Sequence, residues 1–404
     1  MINCFYTLLF IFLLDLGYSQ DCVGDANVDL IINILDIVAV VDHVLENELL
    51  SGQSFTNADT NESNSIDILD VIVIVDLILY GDFECDEPEA FLDLSLDWEI
   101  EQDLSYLDEN ALNAAIDNLS QQSSLYGLIV IHNGKVVGEH YQGGGGAEVD
   151  FNIFSVTKSF ISTLIGQAIG EGYIQGPSTT LDNILTGIFM SSYLEQITLQ
   201  NLLTMSTGYL DVYSYPYWVN VTTEFLSGMG YTQPGYFFYN NSACHLNSHV
   251  IYEATGQTPK EFAGENLFPY LGIENPDWLF GYNGINDGSA SLELTLREMV
   301  KLGQLYIQDG YSANNQILSS EYIEEATSFK IDTGFGYGYG YLFWIPYSQS
   351  QSFEAKGYGG QNIFIYPSKN LVIGTHSYFN SSSTYQNILN SIINNSIAPL
   401  FDDW

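Results

Sequence analysis

The sequence predicts an α+β domain, an antiparallel sheet flanked by helices, preceded by a small all-α module. Three observations predict it. Strand-like runs lie near both ends of residues 105–404 with a helix-rich middle between them, so strands distant in the chain share one sheet on which helices pack. Residues 25–36 and 59–70 repeat one another, each followed by an apolar helical run. An S-x-x-K tetrapeptide, Ser155-Val156-Thr157-Lys158, heads an amphipathic helical segment in that middle.

Composition bounds the function. The 404 residues are 46% hydrophobic and 14% aromatic, which supplies a packed core and excludes a disordered chain. Fifty acidic against eight basic residues leave a net charge of −42. Such a surface repels nucleic acid and anionic lipid.

Residues 2–14 (INCFYTLLFIFLL) are apolar but too short to span a bilayer, and Gly17-Tyr18-Ser19 leads into Gln20. Residues 1–20 therefore read as a secretory signal cut near Ser19 or Gln20, although its basic n-region is missing; the other reading is a buried N-terminal helix. No later stretch approaches about 18 uninterrupted apolar residues. A secreted protein, periplasmic, cell-surface or extracellular, meets an oxidising compartment. There Cys22 and Cys85 are the natural disulfide, Cys4 leaves with the signal, and Cys244 is an inert buried thiol. No C-x-x-C is present, which removes zinc-ribbon and thioredoxin readings.

The repeats DANVDLIINILD and DTNESNSIDILD stand 34 residues apart. Oxygen-bearing side chains fall at loop positions 1, 3, 5, 9 and 12. They are Asp25, Asn27, Asp29, Asn33 and Asp36 in the first loop, and Asp59, Asn61, Ser63, Asp67 and Asp70 in the second. With the carbonyls of Ile31 and Ser65 at position 7, this is the spacing by which Ca²⁺ collects oxygen ligands. Two features depart from the EF-hand: position 6 is Leu30 or Asn64 instead of Gly, and position 12 is Asp instead of Glu. Aspartate at position 12 followed directly by an apolar helix resembles the dockerin repeat. That resemblance implies a dockerin-like calcium-binding module over 21–86 that docks onto a cohesin-like partner. A spacer clipped by Cys22–Cys85 fits the same residues. Residues 87–104, acidic and carrying Pro88, read as the linker.

In the large domain, 105–404, Asn110–Leu119 reads as an opening helix. The runs 126–132 and 135–141 flank Asn133-Gly134, a strong hairpin signal. Near the end, 340–346, 362–367 and 371–377 are strand-like, and Gln386–Ile397 looks like a closing helix. Between them, the S-x-x-K spacing carries chemistry. Residues three apart share a helix face, so the Lys158 amine can sit beside the Ser155 hydroxyl; a desolvated lysine has lowered proton affinity and can deprotonate the nucleophile.

Two further motifs follow in order. Tyr239-Asn240-Asn241 is a Y-x-N, and Tyr358-Gly359-Gly360 enters a strand. With residues 197–211 between, the stretch of roughly 105–400 resembles the serine β-lactamase and penicillin-binding superfamily, most of all its class C branch, which also holds esterases and amidases. The resemblance implies a β-lactamase/transpeptidase-like fold with no catalytic cofactor. It makes Ser155 the acylated nucleophile and Lys158 its proton acceptor. Tyr239 shuttles the proton to the leaving group, and Asn241 steadies Lys158 and the substrate. Tyr358, Gly359 and Gly360 stand where the family has K-T-G or H-x-G, and the backbone N–H groups of Ser155 and Gln361 form the oxyanion hole. Tyr358 departs from the pattern, because tyrosine cannot supply the cation that binds a substrate carboxylate. Lys356, two positions earlier, shares the side of Tyr358 if that strand is regular.

Competing motifs are weaker. His245 and His249 are spaced for zinc, but Leu246 stands where H-E-x-x-H has Glu, so they read as structural. Asp287-Gly288-Ser289 reads as a turn. No G-x-S-x-G is present. The function expected is ester or amide hydrolysis through a Ser155 acyl-enzyme on a small-molecule substrate. The alternatives are a β-lactamase or D-Ala-D-Ala carboxypeptidase, and a catalytically inactive binding module displayed by the dockerin-like segment.

Overall fold

Asn133 and Gly134 both take positive φ, 51° and 72°, the backbone of a two-residue I′ turn, and the apolar runs on either side become adjoining strands. The structure, a computed structural model, describes residues 22–27, 32–45, 49–50, 53–61, 63, 65–80, 91–185, 196–208, 233–281, 283–347, 352–378 and 382–401. The signal expected over 1–20, Cys4, Cys85, and the loop residues Asp29, Leu30, Ile31 and Asn64 lie outside them. The chain divides into two units, Met1–Ala90 and Phe91–Trp404.

In the smaller unit, helices Ile34–Val44, Gln53–Ala58 and Ile68–Tyr80 surround a core of Ala26, Val40, Ala58, Ile66 and Ile74. Cys22 is disulfide-bonded.

The larger unit is built on a nine-stranded sheet. In chain order the strands are β1 (Glu99–Ile100), β2 (Leu125–His132) and β3 (Lys135–Tyr141). Two short pairs outside that sheet come next, β4 (Phe151–Asn152) with β5 (Glu293–Leu294), and β6 (Tyr311–Ser312) with β7 (Asn315–Gln316). Strands β8 (Ile331–Asp332), β9 (Tyr337–Tyr339), β10 (Trp344–Pro346), β11 (Phe353–Gly357), β12 (Gln361–Tyr366) and β13 (Leu371–Ser377) complete it. The order across is β1-β3-β2-β13-β12-β11-β10-β9-β8. Strands from the two ends of the domain thus meet at the β2–β13 pair, with Leu371 opposite His132.

The sheet is mixed, which corrects the antiparallel expectation. β1 runs parallel to β3, and between them the chain passes through the helix Glu109–Ser120 and then β2, which is antiparallel to β3. The central strands are apolar on both faces, since both are covered. Leu128, Val130, Phe364 and Ile373 face the terminal helices Glu109–Ser120 and Ser383–Ile392. Ile129, Ile131, Ile363 and Val372 face the opposite core, which includes the Thr157–Gly170 and Leu296–Ile307 helices. No helix among the described residues is long and apolar enough to cross a membrane.

Three expectations about elements change. Residues 91–104 belong to the larger unit instead of a linker: Leu94 and Trp98 are buried, the Leu94 N–H donates to Ser312 Oγ at 3.0 Å, and Trp98 Nε1 donates to the Arg297 carbonyl at 2.9 Å. Their acidic neighbours concealed two apolar anchors. Of 340–346 only Trp344–Pro346 is strand, because the chain turns at Leu342 (φ 62°), whose N–H donates to the Leu203 carbonyl. The closing helix is Ser383–Ile392, continued by one π turn, Ile393–Ile397.

The Leu296–Ile307 helix approaches β12 and β13 closely through two glycines. A Cβ at Gly303 would stand 2.7 Å from Val372 Cγ1, and one at Gly374 would collide with Val300 Cγ1. Gly374→Val should therefore destabilise the unit by about 2–3 kcal/mol through overpacking, lowering the melting temperature by roughly 4–10 °C. A melting temperature within 1 °C of the parent would contradict this close approach.

Candidate active site

Ser155 lies one residue past a backbone that side chains rarely adopt. Phe154 has φ 47°, and its N–H donates to Asn152 Oδ1 at 2.7 Å, while the Ile153 N–H donates to the Leu292 carbonyl. The β4–β5 pair thus anchors the chain just before the 3₁₀ turn Phe154–Val156, and that turn runs into the helix Thr157–Gly170. Residues 157–168 are all buried, so the expected amphipathic helix is a central one. Its polar side chains are spent internally: Ser159 Oγ donates to the Leu342 carbonyl at 2.9 Å, and Ser162 meets Tyr322 Oη at 3.1 Å.

Lys158, 1% exposed, brings the site together. Its Nζ lies 2.8 Å from Ser155 Oγ, 2.9 Å from Asn241 Oδ1 and 2.5 Å from the Ser289 carbonyl oxygen. An ammonium has three donors, and three acceptors are present. Nζ also stands 5.0 Å from the centre of the Tyr239 ring. Asn241 is held because Asn240 caps the Asn241–Thr255 helix, its Oδ1 accepting from the Ala243 N–H at 2.7 Å. Tyr239 stacks on Trp344 with ring centres 5.9 Å apart, and Phe237 meets Trp344 and Tyr339 edge-on.

The third motif forms the β11–β12 turn. Gly359 (φ 87°) and Gly360 (φ 108°) take backbone that favours glycine. The Phe154–Val156 turn packs on this hairpin: Phe154 and Tyr358 meet edge-to-face at 6.1 Å, and a Cβ at Gly357 would lie 2.5 Å from the Ile153 carbonyl oxygen. Tyr358 is 48% exposed, while Gln361 is buried. Lys356 is committed elsewhere. It pairs with Glu354 and lies over the Phe364 and Tyr337 rings, and Phe364 belongs to the core under the terminal helices.

Ser289 escaped the sequence reading, which took Asp287-Gly288-Ser289 for a turn. A backbone carbonyl has no residue-type signature. The turn is nonetheless built to present it, since the Ser289 N–H and Oγ both donate to Asp287 Oδ1, at 2.9 and 2.7 Å. The histidine pair is structural. His245 Nδ1 accepts from the Gly288 N–H at 3.1 Å, and burial, with His245 alongside, pushes His249 down to about 3. Cys244 is a free buried thiol pushed up to about 12 by burial.

In the smaller unit three hydrogen bonds of the first loop recur in the second at a 34-residue offset. Asp36 accepts the N–H groups of Asn27 (3.1 Å) and Asn33 (2.7 Å) on its two oxygens; Asp70 accepts those of Asn61 (3.3 Å) and Asp67 (2.8 Å). Asn33 and Asp67 in turn accept from Leu35 and Leu69. Asp25, Asp36 and Asp70 are buried, and Ser63 Oγ is bonded to the Ser65 carbonyl at 2.9 Å. Buried carboxylate oxygens suit a hard cation. Among the described residues, though, no three His, Cys, Asp or Glu side chains are grouped so as to hold a metal ion.

Comparison with known proteins follows the larger unit. A family model described as Beta-lactamase matches residues 112–385. An uncharacterized protein of Alkalihalophilus pseudofirmus is 23% identical over 314 residues, 65% of this chain and 88% of that protein. Among solved structures, a Bacillus anthracis protein with the provisional description of 6-aminohexanoate-dimer hydrolase matches with TM-score 0.63 at 22% identity, covering 76% of this chain and 88% of that one. A class C beta lactamase from Rhodobacter sphaeroides matches with TM-score 0.59 at 17% identity, covering 72% and 100%. These structural likenesses establish the fold.

Burial also pushes His376 down to about 3, so His249 and His376 stay neutral in the fold while unfolded histidine titrates near 6.5. Their contribution to stability is complete above that value and is lost as pH falls below it, by about 1.4 kcal/mol per pH unit for each residue. The melting temperature should hold level from pH 8 to 7, then fall between 6.5 and 5, less steeply in His249→Gln. A value that holds or rises across 6.5–5 would contradict neutral burial.

Proposed function

The chain belongs to the Beta-lactamase family, whose members are serine hydrolases that need no cofactor for catalysis, and from that premise we propose a secreted ester or amide hydrolase that works through an acyl-enzyme on Ser155. The observation that carries this reading is the three-acceptor setting of Lys158. When the amine is neutral, its two N–H groups remain directed at Asn241 Oδ1 and the Ser289 carbonyl, and its lone pair is left facing the Ser155 hydroxyl, 2.8 Å away. Ser155 Oγ then bonds to the acyl carbon as its proton passes to Lys158 Nζ. The backbone N–H groups of Ser155 and Gln361 hold the oxyanion. Collapse of the tetrahedral adduct expels the leaving group, which takes a proton through Tyr239 and Lys158, and water releases the acyl group by the same steps in reverse.

A neutral or apolar acyl group is the substrate class that fits. Tyr358 supplies no cation, Lys356 is paired with Glu354, and the segment leading to Tyr239 offers Tyr236, Phe237 and Phe238, of which Phe237 meets Trp344. The β-lactamase and D-Ala-D-Ala carboxypeptidase alternatives need a carboxylate partner at that position. An inactive binding module would have little use for a buried lysine aimed at a serine.

For the smaller unit we propose calcium bound in two loops and docking onto a cohesin-like partner. The three recurring bonds support the first. The second is supported by apolar residues exposed in register on both helices: Ile34, Leu35, Val38 and Leu45 recur 34 residues on as Ile68, Leu69, Ile72 and Leu79. The disulfide at Cys22 agrees with an oxidising compartment and hence with secretion.

Hydrolysis of a short p-nitrophenyl ester should exceed that of nitrocefin or a D-Ala-D-Ala peptide in kcat/KM, and Lys158→Ala should lower the ester value by about 10²–10⁴. Equal or better turnover of nitrocefin would move the substrate to β-lactams. In the full chain, millimolar calcium should raise the melting temperature of the transition assigned to the smaller unit, and Asp25→Ala should weaken that response. No heat of calcium binding by calorimetry would remove the metal.

A further inference from the structure

The residue proposed as the second oxyanion donor, Gln361, is paired with Gly357 of β11 but has no ladder partner in β13. The β12–β13 ladder ends at Asn362 opposite Thr375, one residue short of Gln361. Beyond that pair β13 is irregular, its register against β2 slipping between His376 and Ser377, and such a bulge re-aims side chains. Three side chains take over the work of the ladder. Thr375 Oγ1 donates to the Gly360 carbonyl at 2.8 Å, and Ser377 Oγ reaches the same oxygen at 3.2 Å. The Gln361 amide closes a paired contact with the Ser377 backbone, its Nε2 donating to the carbonyl at 2.6 Å and its Oε1 accepting from the N–H at 3.0 Å. Ser377 Oγ is itself fixed by Tyr385 Oη at 2.5 Å. All four side chains are buried, and a Cβ at Gly360 would stand 2.7 Å from Ser377 Oγ.

Gly360 C=O and Gln361 N–H belong to one planar trans peptide, so they point in opposite directions. From this we infer that Thr375 and Ser377 are positioning residues for the reaction: by pinning the Gly360 carbonyl toward β13 they turn the Gln361 N–H the other way, toward β11 and the nucleophile turn that packs there. The inference rests on the Ser155 acyl-enzyme reading and adds to it the residues that aim the second oxyanion donor. Neither hydroxyl touches substrate. Each acts through the peptide, and a donor turned away from the developing oxyanion loses most of its value, because stabilisation depends on preset direction.

The test is the hydrolysis of p-nitrophenyl acetate by Thr375→Val, Ser377→Ala, the double variant and Thr375→Ser, together with the rate of labelling by a fluorophosphonate. Each single loss should lower kcat by about 5–10-fold and the double by about 10²-fold. KM should stay within about 2-fold, since a mis-aimed donor costs the transition state and spares ground-state binding. Thr375→Ser, which keeps the hydroxyl, should stay within about 2-fold of the parent, a rescue that lost packing would not give. Labelling rates should follow kcat. If the double variant does not fold, Ser377→Ala, which deletes one oxygen, decides alone. A kcat within 2-fold of the parent in folded Ser377→Ala and Thr375→Val overturns the inference while leaving the acyl-enzyme reading intact. Parent enzyme that neither hydrolyses the ester nor takes the label defeats both.

Discussion

A buried lysine amine with three oxygen acceptors from three separate parts of the chain is the constraint on which the larger unit's site depends. Burying an ammonium without partners is expensive, and Lys158 meets that cost with the Ser155 hydroxyl, the Asn241 side chain and the Ser289 carbonyl. Each acceptor needs its own support. The β4–β5 pair precedes the Ser155 turn, the Asn240 cap fixes the start of the Asn241 helix, and Asp287 braces the Ser289 turn. Moving any one of the three leaves a buried donor unmatched, so the geometry that suits proton transfer is also the geometry the fold prefers.

The sheet supplies the other half. Both its faces are covered around β11 and β12, and the hairpin joining them carries the Gly360–Gln361 peptide. Where the ladder runs out, Thr375, Ser377 and Gln361 replace it. The Ser155 turn rests against the same hairpin through Phe154 and Tyr358. Ser155 and Gln361 are thereby tied to one hairpin.

Much of this was legible in the sequence because side-chain identity carried it. Ser155, Lys158, Tyr239 and Asn241 are readable from motif spacing, and the structure brings them to one amine. The Asn133-Gly134 turn and the strands β2, β12 and β13 follow from local chemistry and apolar runs. Ser289 was not legible, because a carbonyl acceptor can be offered by any residue. Residues 91–104 were misread since two apolar anchors, Leu94 and Trp98, sit among acids that dominate composition. The parallel β1–β3 pair was hidden for another reason: β1 has two residues and so no periodicity to read. Lys356 shows the limit of counting along a strand, as proximity to the third motif said nothing of its pairing with Glu354.

The most direct measurement of the central claim is acid quenching of the enzyme during turnover of a p-nitrophenyl ester, followed by peptide mass analysis. The mass of the acyl group should appear on the peptide carrying Ser155, and it should be absent from Ser155→Ala. An acyl group found on another residue, or turnover undiminished in Ser155→Ala, would contradict a Ser155 nucleophile activated by Lys158.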